Sequence, residues 1–183
     1  MRRVALNLVL LVVVAGGFGL YVLAVEPPWF ERLRYPLRYS EYVRFHARDN
    51  GLDPALLAAV IYQESKFKAN ARSPSGAIGL MQLLPDTAQG IALHTGGTAF
   101  RVDDLYVPEL NVRYGAWYLR HLLRKYGDER TALAAYNAGQ DNVDRWRRAG
   151  RGIQFAETRA YVDRVEDLKG IYREAYGKEL GYG

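Results

Sequence analysis

One carboxyl group of the sequence lies where a proton donor could be kept uncharged. Glu64 follows Val60 by four residues and Ile61 by three, so in a helix it continues their apolar face. Burial and the negative end of the helix dipole both disfavour its ionised form, and Lys66 and Lys68 fall on other faces. A carboxyl group that stays protonated near neutral pH suits general-acid catalysis on a glycosidic oxygen. The alternative is a helix-end glutamate that turns to solvent or pairs with an arginine.

A glycine-rich stretch follows this candidate acid. Residues 76–82 lack the Gly-Lys-Ser/Thr ending that a phosphate-binding loop needs. The glycines instead indicate a close approach of the backbone, with Met81 and Gln82 offering an apolar contact and an amide to a polar ligand. The alternative is a loop that packs on the core and uses its glycines for turns.

A third segment places two hydrogen-bonding side chains among small residues. Tyr136 and Asn137 lie within Ala134–Gly139, at the end of a predicted helix. The small neighbours leave room for both side chains to meet a substrate. Asn137 could equally be only a helix cap.

The elements that must position these residues are predicted to be helices joined by short turns. Periodicity, caps and prolines predict helices over 39–48, 54–65, 85–93, 111–126, 128–138 and 158–176. Residues 73–79 are predicted to be a connector, and Arg145 to Arg151 a basic loop that contacts either solvent or substrate. No repeat and no run of alternating strands is present. The fold class is therefore mainly α, with at most a small β excursion.

Composition excludes several classes of protein. The 183 residues are 49% hydrophobic and 25% charged, which excludes a disordered or collagen-like chain. The net charge is +5, and two arginines lie in the first 25 residues, so the rest is too mildly basic to indicate a nucleic-acid partner. The absence of cysteine excludes disulfides and thiolate zinc sites. The three histidines lack the spacing of a metal site, and no cofactor is expected.

The N-terminus predicts a membrane segment. Val4 to Val25 carries no charged residue, and 22 residues of helix would extend about 33 Å, enough to span a bilayer core. Arg2 and Arg3 predict a cytoplasmic N-terminus with the remainder outside. The alternative is a secretory signal cleaved after Ala24. We expect residues 1–29 to be this anchor or signal and residues 30–183 to be one catalytic domain, as a monomer on the cell-wall side of the membrane.

The order of the motifs resembles that of the lytic transglycosylases, which cleave peptidoglycan with a goose-type-lysozyme-like domain. The resemblance covers about residues 40–176 and rests on five pieces: Glu64-Ser65, Ser73, Gly79-Leu80-Met81-Gln82, Ala135-Tyr136-Asn137-Ala138-Gly139 and Glu157-Thr158-Arg159-Ala160-Tyr161-Val162. Each piece alone is weak, but five in this order are specific.

The resemblance implies a mechanism for Glu64. In the family, a single acid protonates the oxygen between MurNAc and GlcNAc. The same group, once ionised, takes the proton of the MurNAc C6 hydroxyl as that hydroxyl attacks C1, which gives a 1,6-anhydro end. Ordinary glycosidases need two carboxylates, and we find no second acid in an apolar setting. An internal nucleophile explains why one acid is enough.

The resemblance also implies supporting residues. Ser65 and Ser73 would hydrogen-bond near the acid or the sugar, and Gln82 and Asn137 would bind sugar amides. Met81 and Tyr136 would form contact surfaces. Tyr161 would lie close to Glu64 and help set its protonation. We expect Glu157 and Arg159 to form a structural pair. Peptidoglycan glycan strands are the expected partner. Two alternatives stay open: a hydrolytic muramidase on the same fold, and a non-catalytic wall-binding module.

Overall fold

The computed structural model describes residues 11, 13–17, 20–21, 27–97 and 99–182. The chain divides into two units, residues 1–36 and residues 37–183. In the first unit, a short helix α1 spans Pro28–Arg34. Most of the predicted membrane segment, Val4 to Val25, lies outside the described residues. Within the described ranges, no helix has both the length and the apolar character needed to cross a bilayer.

The second unit is helical, as predicted. Its helices are α2 (Ser40–Asn50), α3 (Pro54–Ser65), α4 (Pro85–Thr95), a 3₁₀ helix (Val102–Tyr106), α5 (Pro108–Tyr126), α6 (Glu129–Ala138), α7 (Gln140–Arg148), α8 (Ala156–Ala175) and α9 (Gly177–Leu180). Pairing of β type among the described residues is limited to two isolated antiparallel bridges, Arg72 to Ile78 and Ile78 to Leu83. These bridges are the small β excursion that the sequence predicts.

Helix α3 is the centre of this unit. Its residues Ala55 to Ile61 are all buried, which is typical of a helix surrounded by other elements. Asp53 caps its N-terminus by accepting a hydrogen bond from the Ala55 N–H (2.9 Å), and Pro54 occupies the first helical position. The helix packs mainly against α8 and also against α2. Glu64 therefore lies in the last turn of a buried helix.

The prediction of a basic loop over residues 145–151 is wrong for residues 145–148, which are helical. Helix α7 continues to Arg148, because Val143 and Trp146, three residues apart, are both buried and hold this segment helical. The predicted start of α5 at Asn111 is also wrong, since that helix begins at Pro108. Proline is favoured at a first helical position, where its missing N–H has no partner to lose.

Candidate active site

Glu64 lines a groove on the surface of the second unit. The groove has a volume of about 520 Å³ and is lined by Gln63, Glu64, Asn137, Glu157, Ala160, Tyr161 and Arg164. Helix α3 supplies the first two residues, the end of α6 supplies Asn137, and α8 supplies the other four. The Glu64 side chain is partly exposed, so it combines a mostly buried setting with access to a ligand.

Burial has the largest influence on the pKa of Glu64. Desolvation raises the pKa of its carboxyl from the usual 4.5 to about 7. The Tyr161 hydroxyl donates a hydrogen bond of 2.7 Å to Oε1, which favours the ionised form and acts in the opposite direction. No cation of the described residues contributes to this pKa. Because desolvation is the larger effect, the group can both give and take a proton near neutral pH.

Two phenol groups lie near this carboxyl group, that of the buried Tyr161 and that of the partly exposed Tyr136. Burial, and next the charge of Glu64, raise the pKa values of Tyr161 and Tyr136 well above their usual value, so both hydroxyls stay protonated. The Tyr161 hydroxyl donates its hydrogen bond to Glu64, whereas the Tyr136 hydroxyl donates to the Met81 carbonyl (2.7 Å). The Tyr136 ring lies 5.5 Å from that of Tyr118. Tyr161 thus contacts the acid, and Tyr136 contacts the glycine-rich stretch.

A buried asparagine on α5 fixes that stretch. The Asn111 amide nitrogen donates to the Ile78 (3.0 Å) and Leu105 (2.8 Å) carbonyls, and its oxygen accepts from the Met81 N–H (2.8 Å). Gly79 has φ +84°, and a Cβ atom there would lie 2.1 Å from the Asn111 amide nitrogen. Only glycine fits this position.

Met81 does not form the contact surface that the resemblance implies. Its side chain is fully buried and packs over Gly115, where a Cβ atom would lie 2.2 Å from the Met81 sulfur. Burial of the flexible thioether fills the space that the glycine leaves open. The part of Met81 that contributes near the site is its carbonyl group, which holds Tyr136.

Both predicted serines make bonds within the protein. Ser65 is buried and its hydroxyl donates to the Ile61 carbonyl (3.1 Å), so it belongs to the packing of α3 and is not among the groove-lining residues. The Ser73 hydroxyl accepts from the Ala77 N–H (3.0 Å) and lies 2.8 Å from the Ser75 hydroxyl. In this structure Ser73 stabilises the turn of the connector.

The side-chain amides of Gln82 and Asn137, both predicted to bind sugar, make different hydrogen bonds within the protein. Gln82, with φ +47°, donates its amide nitrogen to the Gly79 (2.9 Å) and Ala71 (3.2 Å) carbonyls. Asn137 is exposed in the groove, and its oxygen accepts from the buried Thr158 hydroxyl (2.8 Å). This bond holds the Asn137 amide in one orientation.

Two charged residues line the groove although neither was predicted to be a site residue, since Glu157 was expected only in a structural pair and Arg164 carried no expectation. Glu157 and Arg164 lie four residues before and three residues after Tyr161, so they share its face of α8. That spacing was visible in the sequence. The expected pair of Glu157 with Arg159 is wrong, because Arg159 donates to the carbonyls of Ile153 (2.6 Å) and Gln154 (3.0 Å).

Two of the three histidines lie against one tryptophan, with the ring centroids of His94 and His121 at 5.9 and 5.5 Å from that of Trp117. His46 is buried with Nε2 3.0 Å from Glu109 Oε1, whereas His94 places Nδ1 2.8 Å from the Gly90 carbonyl oxygen. Across the residues that the structure describes, no cluster of three histidine, aspartate or glutamate side chains could hold a metal ion.

Comparison with known proteins places this chain in one family. It belongs to the transglycosylase SLT domain family, whose model matches residues 41–157. It is 34% identical over 163 residues to a soluble lytic murein transglycosylase of Salmonella typhimurium, an alignment that covers 80% of this chain and 24% of the relative. It is 33% identical over 153 residues to the membrane-bound lytic murein transglycosylase F of Shewanella woodyi, covering 80% of this chain and 29% of the relative.

A solved structure agrees in fold and sequence. An inactive Glu-to-Gln variant of the lytic transglycosylase Slt from Pseudomonas aeruginosa matches with a TM-score of 0.73 and 33% identity, over 80% of this chain and 25% of that chain. The chain thus spans about a quarter of the length of these relatives. The similarity supports the expected lysozyme-like helical domain.

Proposed function

We propose that this protein is a peptidoglycan lytic transglycosylase that cleaves the β-1,4 bond between MurNAc and GlcNAc. The observation that carries the proposal is Glu64, a carboxyl group with a pKa of about 7 that lines a groove open to a ligand. General acid-base catalysis works best with a group that titrates near the working pH. The relatives that are named lytic murein transglycosylases support the substrate class.

In the first step, protonated Glu64 gives its proton to the glycosidic oxygen. The C1–O bond of MurNAc breaks, the electron pair goes to the oxygen, and GlcNAc leaves with a free 4-hydroxyl group. In the second step, the C6 hydroxyl oxygen of MurNAc bonds to the cationic C1, and ionised Glu64 accepts its proton. The product carries a 1,6-anhydro ring and Glu64 regains its proton, so one carboxyl group serves both steps.

The neighbours of Glu64 have supporting roles in this proposal. Tyr161 holds the carboxyl group in one orientation and stabilises its ionised form between the two steps. Asn137, oriented by Thr158, binds a sugar amide through its NH₂ group. Gln82 offers its amide oxygen, since its nitrogen is committed to the connector. Tyr136 lies near enough to the acid for the charge of Glu64, after burial, to raise the pKa of its hydroxyl, and it supports the site from outside the set of lining residues.

We also propose that Val4 to Val25 tethers the domain to the membrane, with the groove on the cell-wall side. The support is the uncharged 22-residue run after Arg2 and Arg3 in the sequence. One relative is named membrane-bound lytic murein transglycosylase F, which also supports this proposal. Membrane fractionation with an antibody to the chain tests this. An anchored chain stays with the membranes at its full mass, whereas a cleaved signal leaves a shorter, released protein.

Product analysis tests the reaction itself. The full chain is incubated with purified sacculi, and the released muropeptides are weighed by mass spectrometry. The proposal predicts 1,6-anhydro products, which are one water molecule lighter than the reducing ends that a muramidase leaves. Reducing ends as the main product would establish hydrolysis. If the native chain releases no muropeptides, the remaining interpretation is a non-catalytic wall-binding module.

A matched pair of variants separates the one-acid mechanism from a two-acid one. Glu64→Gln and Glu157→Gln each remove one carboxylate from the same groove. With one acid, Glu64→Gln abolishes release and Glu157→Gln still gives anhydro products. If the two variants are equally inactive, the groove uses two carboxylates, as hydrolytic glycosidases do.

A further inference from the structure

One face of helix α2 carries an exposed aromatic side chain among charged ones. The α2 face consists of Glu41, Arg44, Phe45 and Arg48, and the last three follow Glu41 by three, four and seven positions, so all four share one side of the helix. All four are exposed, and all four line one pocket of about 450 Å³, which Glu109 of α5 also lines. Phe45 is 64% exposed, so most of its apolar surface contacts water.

The charged side chains of the α2 face have no partner among the residues that the structure describes. Neither Glu41 nor Arg44 nor Arg48 forms a salt bridge or a side-chain hydrogen bond there, although Glu41 and Arg44 are spaced closely enough to pair along the helix. Other exposed cations of the domain, such as Lys125 and Arg130, are engaged by carboxylates. The charges of the α2 face therefore remain available to a partner molecule.

The α2 face is held in place from behind. Val43 and Ala47, on the other side of the helix, are fully buried. His46 is also buried, and its Nε2 lies 3.0 Å from Oε1 of Glu109, which ties α2 to α5. The Phe45 ring packs edge-on against the His46 ring, with the centroids 5.0 Å apart. A surface that is ordered in advance loses less entropy on binding than a mobile one.

The order of the side chains on the α2 face is complementary to its own reverse. When a second copy of α2 runs antiparallel, with a two-fold axis between positions 44 and 45, each Glu41 faces an Arg48 and each Arg44 faces a Phe45 ring. Opposite charges attract, and a guanidinium group stacks favourably on an aromatic ring. Each contact occurs twice, so all four positions find a suitable partner. A parallel arrangement would set like charges against each other.

We infer that two copies of this chain associate through the α2 face, with the two helices antiparallel and each Phe45 in the pocket of the other copy. Burial of the two rings supplies most of the affinity, and the charge pairs set the direction of the helices. The patch is small, so the dimer is weak and reversible. It replaces the monomer that was expected from the sequence. None of the four residues lines the groove of Glu64, so the inference does not depend on the proposed function.

Exchange of charges tests the antiparallel pairing. The parent is the full chain in detergent, labelled with a donor or an acceptor dye at one introduced cysteine, Arg124→Cys on α5, since the sequence has no cysteine of its own. Energy transfer at increasing concentration gives the affinity. Glu41→Arg sets arginine against arginine in both charge pairs, and Arg48→Glu sets glutamate against glutamate. Each variant alone should therefore associate at least about tenfold more weakly than the parent.

A mixture of the two variants distinguishes this pairing from any other. Donor-labelled Glu41→Arg with acceptor-labelled Arg48→Glu recreates both arginine–glutamate pairs, so energy transfer should return to the level of the parent. Transfer that stays low in the mixture contradicts the inference, as does a parent without concentration-dependent transfer. Unchanged transfer in either single variant also contradicts it, because the copies would then meet through another part of the chain.

Two variants outside the α2 face control for net charge. Glu174→Arg on α8 and Arg151→Glu after α7 make the same changes of charge at exposed positions. Both should associate like the parent. An equal loss of affinity in these controls would mean that overall charge alone determines the association, and would overturn the inference.

Phe45→Ser tests the apolar part of the contact. Because the ring is exposed, its removal leaves the core of the domain intact, and an unchanged circular dichroism spectrum checks this. We expect the variant to associate at least about tenfold more weakly than the parent. An unchanged affinity would contradict the inference. None of these measurements uses cleavage, so their outcome is independent of whether Glu64 is the catalytic acid.

Discussion

The two ends of helix α3 carry carboxyl groups in opposite electrostatic situations. Asp53 caps the N-terminus and is surrounded by donors and cations, whereas Glu64 near the C-terminus receives one phenolic hydrogen bond. Burial raises the pKa of both groups. At Asp53 it is outweighed by the Tyr182 hydroxyl, the Ala55 N–H and the charges of Arg173 and Lys169, which together lower the pKa.

The difference shows what separates a structural carboxylate from a candidate acid on one helix. Asp53 stays ionised, since the positive end of the helix dipole and Arg173 both stabilise its charge. Glu64 lies at the negative end of the dipole and has no cation among the groups that set its pKa. Burial without compensation is unfavourable for a charge, and here it keeps a proton ready for transfer.

The largest expected effect is on catalysis by Glu64→Gln. The amide keeps the shape of the side chain but cannot give or take the proton, so release of muropeptides should fall by at least about 10²–10⁴-fold. The measurement is the initial rate on sacculi at a mildly acidic pH. Wild-type rates in the variant would remove Glu64 from the mechanism, and an unchanged circular dichroism spectrum is the control for folding.

Asp53→Asn tests the other end of the helix. The variant keeps a capping amide but loses the charge that pairs with Arg173 and Lys169, and we expect it to lower the free energy of unfolding by about 1–3 kcal/mol at neutral pH. Urea unfolding measures this. The difference from the native chain should shrink as pH falls below 3.8, because protonation of Asp53 removes the same charge. A difference that does not depend on pH would contradict the assignment.

The pH dependence of stability should have the opposite sign at Glu64. Its pKa is raised on folding, so the native state is favoured while the group is protonated and loses stability as pH rises from 4.5 through about 7. Glu64→Gln does not titrate, and above this range it should be more stable than the native chain by about 1–3 kcal/mol. Below pH 4.5 the two proteins should unfold at similar urea concentrations. If the free energies of unfolding of the two proteins differ more in acid than in base, the assignment is refuted.

The smallest effect is expected for Tyr161→Phe. The variant keeps the ring and removes the hydrogen bond that favours ionised Glu64, so the pKa of the acid should rise further. The alkaline limb of the pH–rate profile should move to higher pH, while the maximal rate falls only a few-fold because the second step needs the ionised form. A shift of the limb to lower pH would mean that Tyr161 acts on Glu64 in another way.

The sequence predicted features that depend on local periodicity. The position of Glu64 on the apolar stripe of α3 follows from spacing alone, and the prolines and caps placed most helix ends within a few residues. The resemblance added the proximity of Tyr161 to Glu64, which are 97 positions apart in the chain and 2.7 Å apart in the structure.

The features that were missed depend on packing between distant segments. Met81 was assigned to the ligand because it lies in a motif, but the space over Gly115 on another helix determines where its side chain goes. The helical part of residues 145–151 depends on Trp146, whose partner Phe155 comes after the loop. The sequence pattern does not give the position of either partner.

The most direct test is the titration of Glu64 itself. Carboxyl resonances of the ¹³C-labelled protein, assigned by comparison with Glu64→Gln, give the pKa of this one group in the folded chain. We predict a midpoint of about 7, well above the usual 4.5, and a midpoint higher still in Tyr161→Phe. A midpoint of 4.5 or below would contradict the proposed mechanism, because Glu64 would then be ionised at neutral pH and could not serve as the proton donor.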